Sequence, residues 1–372
     1  MAPPAADIDL APAAPLTAPV TKTVTSNKLT EPLKYSGSLD EFKSFEVTNV
    51  IGREYPELQL VDILSDDNKI RDLAITVSQR GVVFFRNQTL NIEDQKILGQ
   101  KLGELTGKPD SSKACHLTKV IKRGIAVDEN GKLDDEVSVI SSETSKQNRK
   151  FYKDRFSAGS KKLASEGWHA DITFERIPSD YAILKIIQKP DDAGGDTLWA
   201  SGYEAYDRLS PEFQKIADGL TATHYQPAFV KVAKEFGEEL IEKERGSPEN
   251  TGLDFTASHP VVRTNPVTGW KSLFAAAHQV QHGWIDNVTP RESEILKTYF
   301  LQLITENHDL QVRFRWGKND IAIWDNRSVF HTATTDYSGK RKGNRVVSLG
   351  EKPYFDPKSV SRRQALANTA ET

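Results

Sequence analysis

The chain has little of what would place it outside a cell or in a membrane. One of its 372 residues is cysteine, Cys115. No internal disulfide can form, and an oxidising compartment is not suggested. No apolar run approaches the ~20 residues of a membrane span. Neither sign of charge dominates: 49 Lys and Arg face 52 Asp and Glu, a formal net charge of −3. That balance offers no whole-protein attraction to nucleic acid or to an anionic membrane. The first twenty residues contain Pro3, Pro4, Pro12, Pro15 and Pro19 but no Lys or Arg. They lack the basic start of a secretory signal and the arginines of a transit peptide. The final residues, Ala370-Glu371-Thr372, are no peroxisomal address. There is no internal repeat. The expectation is a cytoplasmic protein with a small-molecule partner, no nucleic acid and no membrane; a homo-oligomer is compatible with the sequence.

The apolar share is 37% and the aromatic share 9%, enough for a sizeable core. We read residues 1–35 as a disordered Pro/Ala-rich tail, 36–357 as a single domain and 358–372 as a C-terminal tail. Residues 58–64 read as a short strand or a turn into a helix. Residues 66–79 have a helical pattern with Asp66 or Asp67 as cap. The run 81–85 is a buried strand. Residues 91–105 form an amphipathic helix with Ile92, Ile97, Leu98, Leu102 and Leu105 as its inner face. A polar stretch follows, with a short strand at 137–140. The Lys-, Ser- and Arg-rich segment 142–165 reads as a solvated loop or as a lid over the site that follows it.

From Trp168 the texture is β. Strands are expected at 171–174, 181–187, 196–199, 259–264, 311–316, 321–324 and 345–349, with helical inserts at 202–220 and 229–243. Asn265-Pro266-Val267-Thr268-Gly269 reads as a hairpin turn. Thr289-Pro290-Arg291-Glu292 opens a helix with a capping box, and Ile295, Leu296, Tyr299, Phe300, Leu303 and Ile304 form its core face. Many short strands around helical inserts suggest a mainly β protein. Its core would be a double-stranded β-helix (a jelly-roll, cupin-like barrel) with flanking helices.

His169-Ala170-Asp171 carries the chemistry. Residues i and i+2 share one face of a strand, so His169 and Asp171 can point into a barrel mouth while Ala170 points away. His331 lies far downstream, after the strand at 321–324 and the turn Asp325-Asn326-Arg327. It can complete a two-histidine, one-carboxylate set, the ligand type of a non-heme Fe(II) oxygenase. A lone His-x-Asp is a weak signal, also compatible with a strand-end histidine bonded to a neighbouring Asp. Arg341 and Arg345, four residues apart, strengthen it. Iron of this kind needs a reductant such as a 2-oxo acid, whose far carboxylate suits the planar fork of Arg. Taken alone, the two arginines also read as a solvated strand edge.

These residues resemble the taurine/2,4-D type family of Fe(II)/2-oxoglutarate dioxygenases. The resemblance runs from about Val61 to Phe355. It includes Gly81-Val82-Val83-Phe84-Phe85-Arg86, Trp168-His169-Ala170-Asp171-Ile172-Thr173-Phe174, Gly194-Gly195-Asp196-Thr197-Leu198-Trp199, His259-Pro260-Val261-Val262-Arg263-Thr264, Val312-Arg313-Phe314-Arg315-Trp316, Trp324-Asp325-Asn326-Arg327 and Gly350-Glu351-Lys352-Pro353-Tyr354-Phe355. The fungal sulfonate/taurine-dioxygenase-like branch is the most similar.

The resemblance implies a jelly-roll core, Fe(II), 2-oxoglutarate as co-substrate and O2. It implies His169, Asp171 and His331 as catalytic iron ligands, with Thr197 and Arg341 holding the distal carboxylate of 2-oxoglutarate. Arg345 stands where sulfonate-using members hold the substrate anion, and His116 corresponds to a second contact with it in an altered motif or is an ordinary strand histidine. Gln226 and Gln279 take the places of pocket aromatics. Leu273-Phe274-Ala275-Ala276-Ala277-His278 replaces the usual Phe-Val-Asn segment. His278 and His282 add polar groups, but neither sits in a matching ligand motif.

The implied activity is hydroxylation of a small anionic substrate such as an alkyl sulfonate, with release of succinate and CO2. The alternative is the same chemistry on an amino acid or other small carboxylate in fungal specialised metabolism, which the polar pocket residues favour. A non-catalytic jelly-roll binding protein is the rival class. It would have no need for His169, Asp171, His331 and Arg341 together.

Overall fold

The computed structural model describes residue 29 and residues 31–113, 125–127, 133–143, 163–237 and 240–370. His116, almost all of the 1–35 tail and most of the 142–165 segment lie outside the described residues.

The largest sheet has eight strands. Its central members are β3 (Val82–Phe85), β14 (Ile321–Asp325), β6 (Ser179–Gln188) and β16 (Lys342–Leu349). β1 (Phe45–Glu46) and β2 (Arg53–Tyr55) extend it on one side, and β5 (Leu133–Ser141) and β4 (Ile125–Val127) on the other. Alternation sorts the central strands into two faces. Val83, Phe85, Tyr181, Ile183, Ile321 and Ile323 pack on Leu73, Val77, Leu98 and Leu102. These last four belong to α2 (Asp67–Arg80) and α3 (Ile92–Glu104). Phe84, Ala182, Leu184, Ala322, Trp324 and Val347 point the other way into a second core.

That core is closed by a three-stranded sheet: β13 (Gln311–Phe314), β7 (Thr197–Ser201) and β15 (Val329–Ala333). It contributes Val312, Phe314, Trp199 and Val329. Its outer side, through Ala200 and Phe330, packs with Ala205 of α4 (Gly202–Asp207), Val280 of α7 (His278–His282) and Phe300 of α8 (Pro290–Thr305). A third sheet, β12 (Trp284–Ile285), β8 (Thr221–Tyr225) and β9 (Thr256–Pro260), and the hairpin β10 (Val262–Thr264) with β11 (Lys271–Leu273) complete the β structure among the described residues. The molecule therefore has mixed sheets, two of them face to face, with helices outside.

Local chemistry explains most boundaries. Asp66 accepts from the Asn68 and Lys69 N–H groups and caps α2, while Thr289 and Glu292 form the capping box of α8. The 202–220 insert is two helices because Ser210 caps α5 (Pro211–Asp218), with Pro211 at its first position. The 229–243 insert ends early: α6 (Ala228–Phe236) stops at Gly237, whose φ of 62° is left-handed. β texture at 259–264 breaks at Val261, whose N–H still follows β8 by donating to Leu220 O while its C=O accepts from the Phe274 and Ala275 N–H groups.

Two expectations are corrected. Ile97 and Ile295, assigned to inner helix faces, are exposed; buried Gly99 lies against Val346 at the α3 contact, leaving Ile97 outside. No strand forms at 171–174, because Ile172 has φ 59° and its carbonyl accepts from Glu175 N–H to make a turn. Within residues 358–372, α9 (Arg362–Ala370) docks where Arg363 pairs with Glu204.

Candidate metal centre

The space between the two facing sheets collects the polar residues. On β15, His331 shares its face with Val329, two residues before it, and so points between the sheets. His169 adds one more rung to this small sheet. Its N–H donates to His331 O (3.0 Å), and His331 N–H donates to His169 O (2.8 Å). The pairing brings the two imidazoles to 4.1 Å between ring centres. From the large sheet, Trp324 stands 5.0 Å from the His331 ring, and Arg345 shares the inward face of β16 with Val347.

Asp171 sits between them. His169 Nε2 is 3.8 Å from Asp171 Oδ1, and His331 Nε2 is 3.9 Å from Asp171 Oδ2. One ligand atom from each of the three residues lies within 4.8 Å of the others. Arg345 Nη1 donates to Asp171 Oδ1 at 2.7 Å. Burial pushes the Asp171 carboxyl up, but the charge and hydrogen bond of the Arg345 guanidinium overcome it and hold the pKa below the usual value. Burial, then the neighbouring His169, drives His331 well below its usual value. The set is thus a carboxylate beside a neutral imidazole, the protonation states that metal binding requires. Asp171 Oδ2 and His331 Nδ1 are buried with no hydrogen-bond partner. Buried polar atoms are rarely left so, and a cation held by Oδ2 would satisfy one of them. The donor set therefore fits iron.

Neighbours orient the donors. Gly167 O accepts from His169 Nδ1 at 2.8 Å, a bond that puts the ring proton on Nδ1 and the lone pair on Nε2. Asp171 N–H donates to Asn326 Oδ1 (3.2 Å), which also accepts from Trp324 Nε1 (3.0 Å). The Asn326 amide in turn donates to Ser179 Oγ (2.8 Å). Sequence reading gave these partners no role. Asn326 stood inside a quoted motif, but only tertiary contact brings it to Asp171.

Arg341 and Thr197 also meet. Arg341 Nη2 donates to Thr197 Oγ1 at 3.4 Å, and Trp316 Nε1 donates to the same oxygen at 3.0 Å. Arg341 Nε donates to Gly195 O at 2.9 Å. Gly194 and Gly195 have φ of 99° and 73°, and only glycine takes both without strain. Arg341 is buried, and burial lowers its pKa. No carboxylate lies within salt-bridge distance of it among the described residues. The solvated-edge reading fails: β16 lies between β6 and β5. Arg341 also borders a small surface cleft with Lys189, Arg315 and Trp316; none of the three clustered ligands lines it.

The remaining candidates separate. Gln279, at the start of α7, donates from Nε2 to Ala170 O at 3.1 Å. Gln226 lies at the end of β8, where its Oε1 accepts from Ala228 N–H at 3.3 Å, so this bond serves the turn into α6. His278 and His282 stack edge to face on α7, outside the cluster.

Known proteins share this architecture. The family model described as "Taurine catabolism dioxygenase TauD, TfdA family" matches residues 43–347. An alpha-ketoglutarate-dependent dioxygenase (btcD) of Neocamarosporium betae is 47% identical over 348 residues, covering 90% of this chain and 98% of that protein. An alpha-ketoglutarate-dependent sulfonate dioxygenase of Saccharomyces cerevisiae is 30% identical over 334 residues, covering 87% and 71%. A solved structure of a taurine dioxygenase from Burkholderia xenovorans superposes with a TM-score of 0.61 at 25% identity, covering 86% of this chain and 94% of that one.

Proposed function

The chain belongs to the taurine catabolism dioxygenase TauD, TfdA family and is an Fe(II)- and 2-oxoglutarate-dependent dioxygenase; from that premise we propose that it oxidises a C–H bond of a small carboxylate, such as an amino acid. His169, Asp171 and His331 would hold the iron. Bound there, iron supplies the activation of O2 that is coupled to conversion of 2-oxoglutarate into succinate and CO2. Residues 36–357 act as one domain, and the two facing sheets read as the walls of a jelly-roll barrel.

The observation that carries the site is one guanidinium, Arg345, seated beside the carboxylate of a His/Asp/His cluster. Arg341 and Thr197 would hold the distal carboxylate of 2-oxoglutarate. Arg341 is a buried cation with no carboxylate partner among the described residues, which suits a ligand that brings one. Arg345 would face the anionic end of the substrate. Burial of Asp171 and His331 between the two sheets limits bulk water at two of the three ligands, while His169 stays partly exposed.

Two considerations put a carboxylate ahead of a sulfonate. The sulfonate dioxygenase of yeast is the more distant relative, at 30% identity against 47%. Gln226 stands where the taurine-type resemblance implies a pocket aromatic, and His278 adds a polar group that the usual pattern lacks. Succinate release with Fe(II), ascorbate and 2-oxoglutarate, screened over amino acids, small carboxylates and alkyl sulfonates, tests the reading. A carboxylate should stimulate release most. A sulfonate as the best substrate would overturn that choice, and full substrate-dependent release by Asp171→Ala would overturn the ligand set.

A further inference from the structure

We propose that Gln279 positions the His169–Asp171 segment, acting on the iron through the backbone; this rests on the reading of that segment as the iron-binding one. The backbone hydrogen bonds of the segment show why. His169 spends its N–H and C=O on His331. Asp171 N–H goes to Asn326. The two carbonyls on the opposite edge, Trp168 O and Ala170 O, both face α7. Trp168 O accepts from His278 N–H at 3.0 Å, and Ala170 O accepts from Gln279 Nε2 at 3.1 Å. Helix α7 thus takes the place of a neighbouring strand. β15 grips the segment on one edge and α7 on the other. Of the two bonds from α7, only that of Gln279 comes from a side chain.

The other side of α7 is also anchored. Gln281 Nε2 donates to Lys297 O (3.0 Å), and Lys297 Nζ donates to Gln281 O (3.3 Å) and Gly283 O (3.0 Å). Lys297 is buried in α8. The helix is therefore a bracket from α8 to the ligand segment. Its entry is strained. Ala277 has φ 74° and ψ −162°, a region nearly confined to glycine. Such a conformation persists only where the surroundings impose it, and here it brings His278 N–H and the Gln279 amide onto two alternate carbonyls. The Gln279 side chain is itself buried. With Nε2 committed to Ala170, its task is to keep that peptide, and so the two flanking ligands, in register. Groups of this kind beyond the direct ligands typically change metal affinity ~10–100-fold.

The test uses the whole protein and two near-isosteric changes, Gln279→Met and Gln279→Glu. The first removes the donor, and the second replaces it with a carboxyl that can donate to Ala170 O only when protonated. Mn(II) binding is measured anaerobically with 2-oxoglutarate by electron paramagnetic resonance, alongside circular dichroism and steady-state kinetics. The expected result is Mn(II) affinity lowered ~10-fold or more. kcat should fall while the substrate KM stays within about twofold. A raised KM with unchanged Mn(II) affinity would make Gln279 a substrate contact and overturn the proposal. Unchanged values throughout, or loss of fold in both variants, would also overturn it, the latter assigning the bond a purely structural role. A parent protein that binds no Mn(II) would instead overturn the metal reading itself.

Discussion

Arg345 and Asp171 are joined by a 2.7 Å charge-assisted hydrogen bond from Nη1 to Oδ1, while Asp171 Oδ2 has no hydrogen-bond partner. The arrangement divides the carboxylate: one oxygen is held by the protein and the other is free for a metal. It also gives Arg345 two claims on its guanidinium, the proposed iron ligand and the proposed substrate anion. Arg345→Gln should therefore weaken metal binding as well as substrate binding. A fall of ~10–100-fold in Co(II) affinity is expected, read from the visible bands of the bound ion, together with a raised substrate KM. Arg345→Lys should fall between, since ammonium lacks the planar fork. A change in KM alone would show that the Asp171 contact has no role in holding the metal.

Arg341 should behave differently. Removing a buried charge from a hydrogen-bonded pair costs about 2 kcal/mol or more, so Arg341→Gln should raise the 2-oxoglutarate requirement at least ~30-fold. The substrate KM should hardly change. Equal increases in both requirements would count against the assignment of Arg341 to the co-substrate.

The turn between β14 and β15, which delivers His331, is locked by a buried ion pair. Asp325 Oδ1 accepts from Arg327 Nε (2.8 Å), and Asp325 Oδ2 accepts from Arg327 Nη2 (2.8 Å), Ser78 Oγ (2.7 Å) and Asn265 Nδ2 (2.9 Å). Asp325→Ala strands the guanidinium and should cost roughly 3–5 kcal/mol in chemical unfolding. A loss below ~1 kcal/mol would show that water or Glu351 takes over the charge.

Folding should weaken in mild acid through His259 and His224. His259 is buried on β9, and burial, with the Arg263 guanidinium next, pushes its pKa from 6.5 to about 4. His224, Lys352 and the Thr173 and Glu175 carbonyls also face it. Burial, then His259 and Arg263, lowers His224 well below its usual value. Both imidazoles are neutral in the fold and take up protons first in the unfolded chain. The stability they give is whole above pH 6.5 and is lost as pH falls toward about 4. His259 alone accounts for roughly 3 kcal/mol across that window. Urea unfolding from pH 7 to 5 should show the slope, and His259→Gln, which keeps a donor for the two carbonyls, should flatten it. An unflattened slope would remove His259 from this role.

The parts legible in advance were those with a local cause. The Asp66 cap, the capping box at Thr289, the hairpin at 265–269 and the buried runs of β3, β6 and β14 each follow from a few adjacent residues. The helix faces were legible except at Ile97 and Ile295, where periodicity cannot tell which edge of an apolar stripe meets a neighbour. The strand expected at 171–174 failed for a reason that composition hides. Ile172 is a good strand former, yet its left-handed backbone turns the chain just after Asp171.

The amino-acid order determined the kind of chemistry. His169, Asp171 and His331 carry their donor atoms wherever they fold, and the long family match lies in the order of residues alone. Tertiary structure decided what each donor faces. It set Arg345 on Asp171, Asn326 on the Asp171 N–H, Gln279 on the Ala170 carbonyl and Arg341 beside Thr197. These pairs lie between 109 and 174 residues apart in the chain. Hydrogen-bond direction and charge neutralisation at such separations depend on how the sheets and α7 pack, and no short-range pattern encodes that.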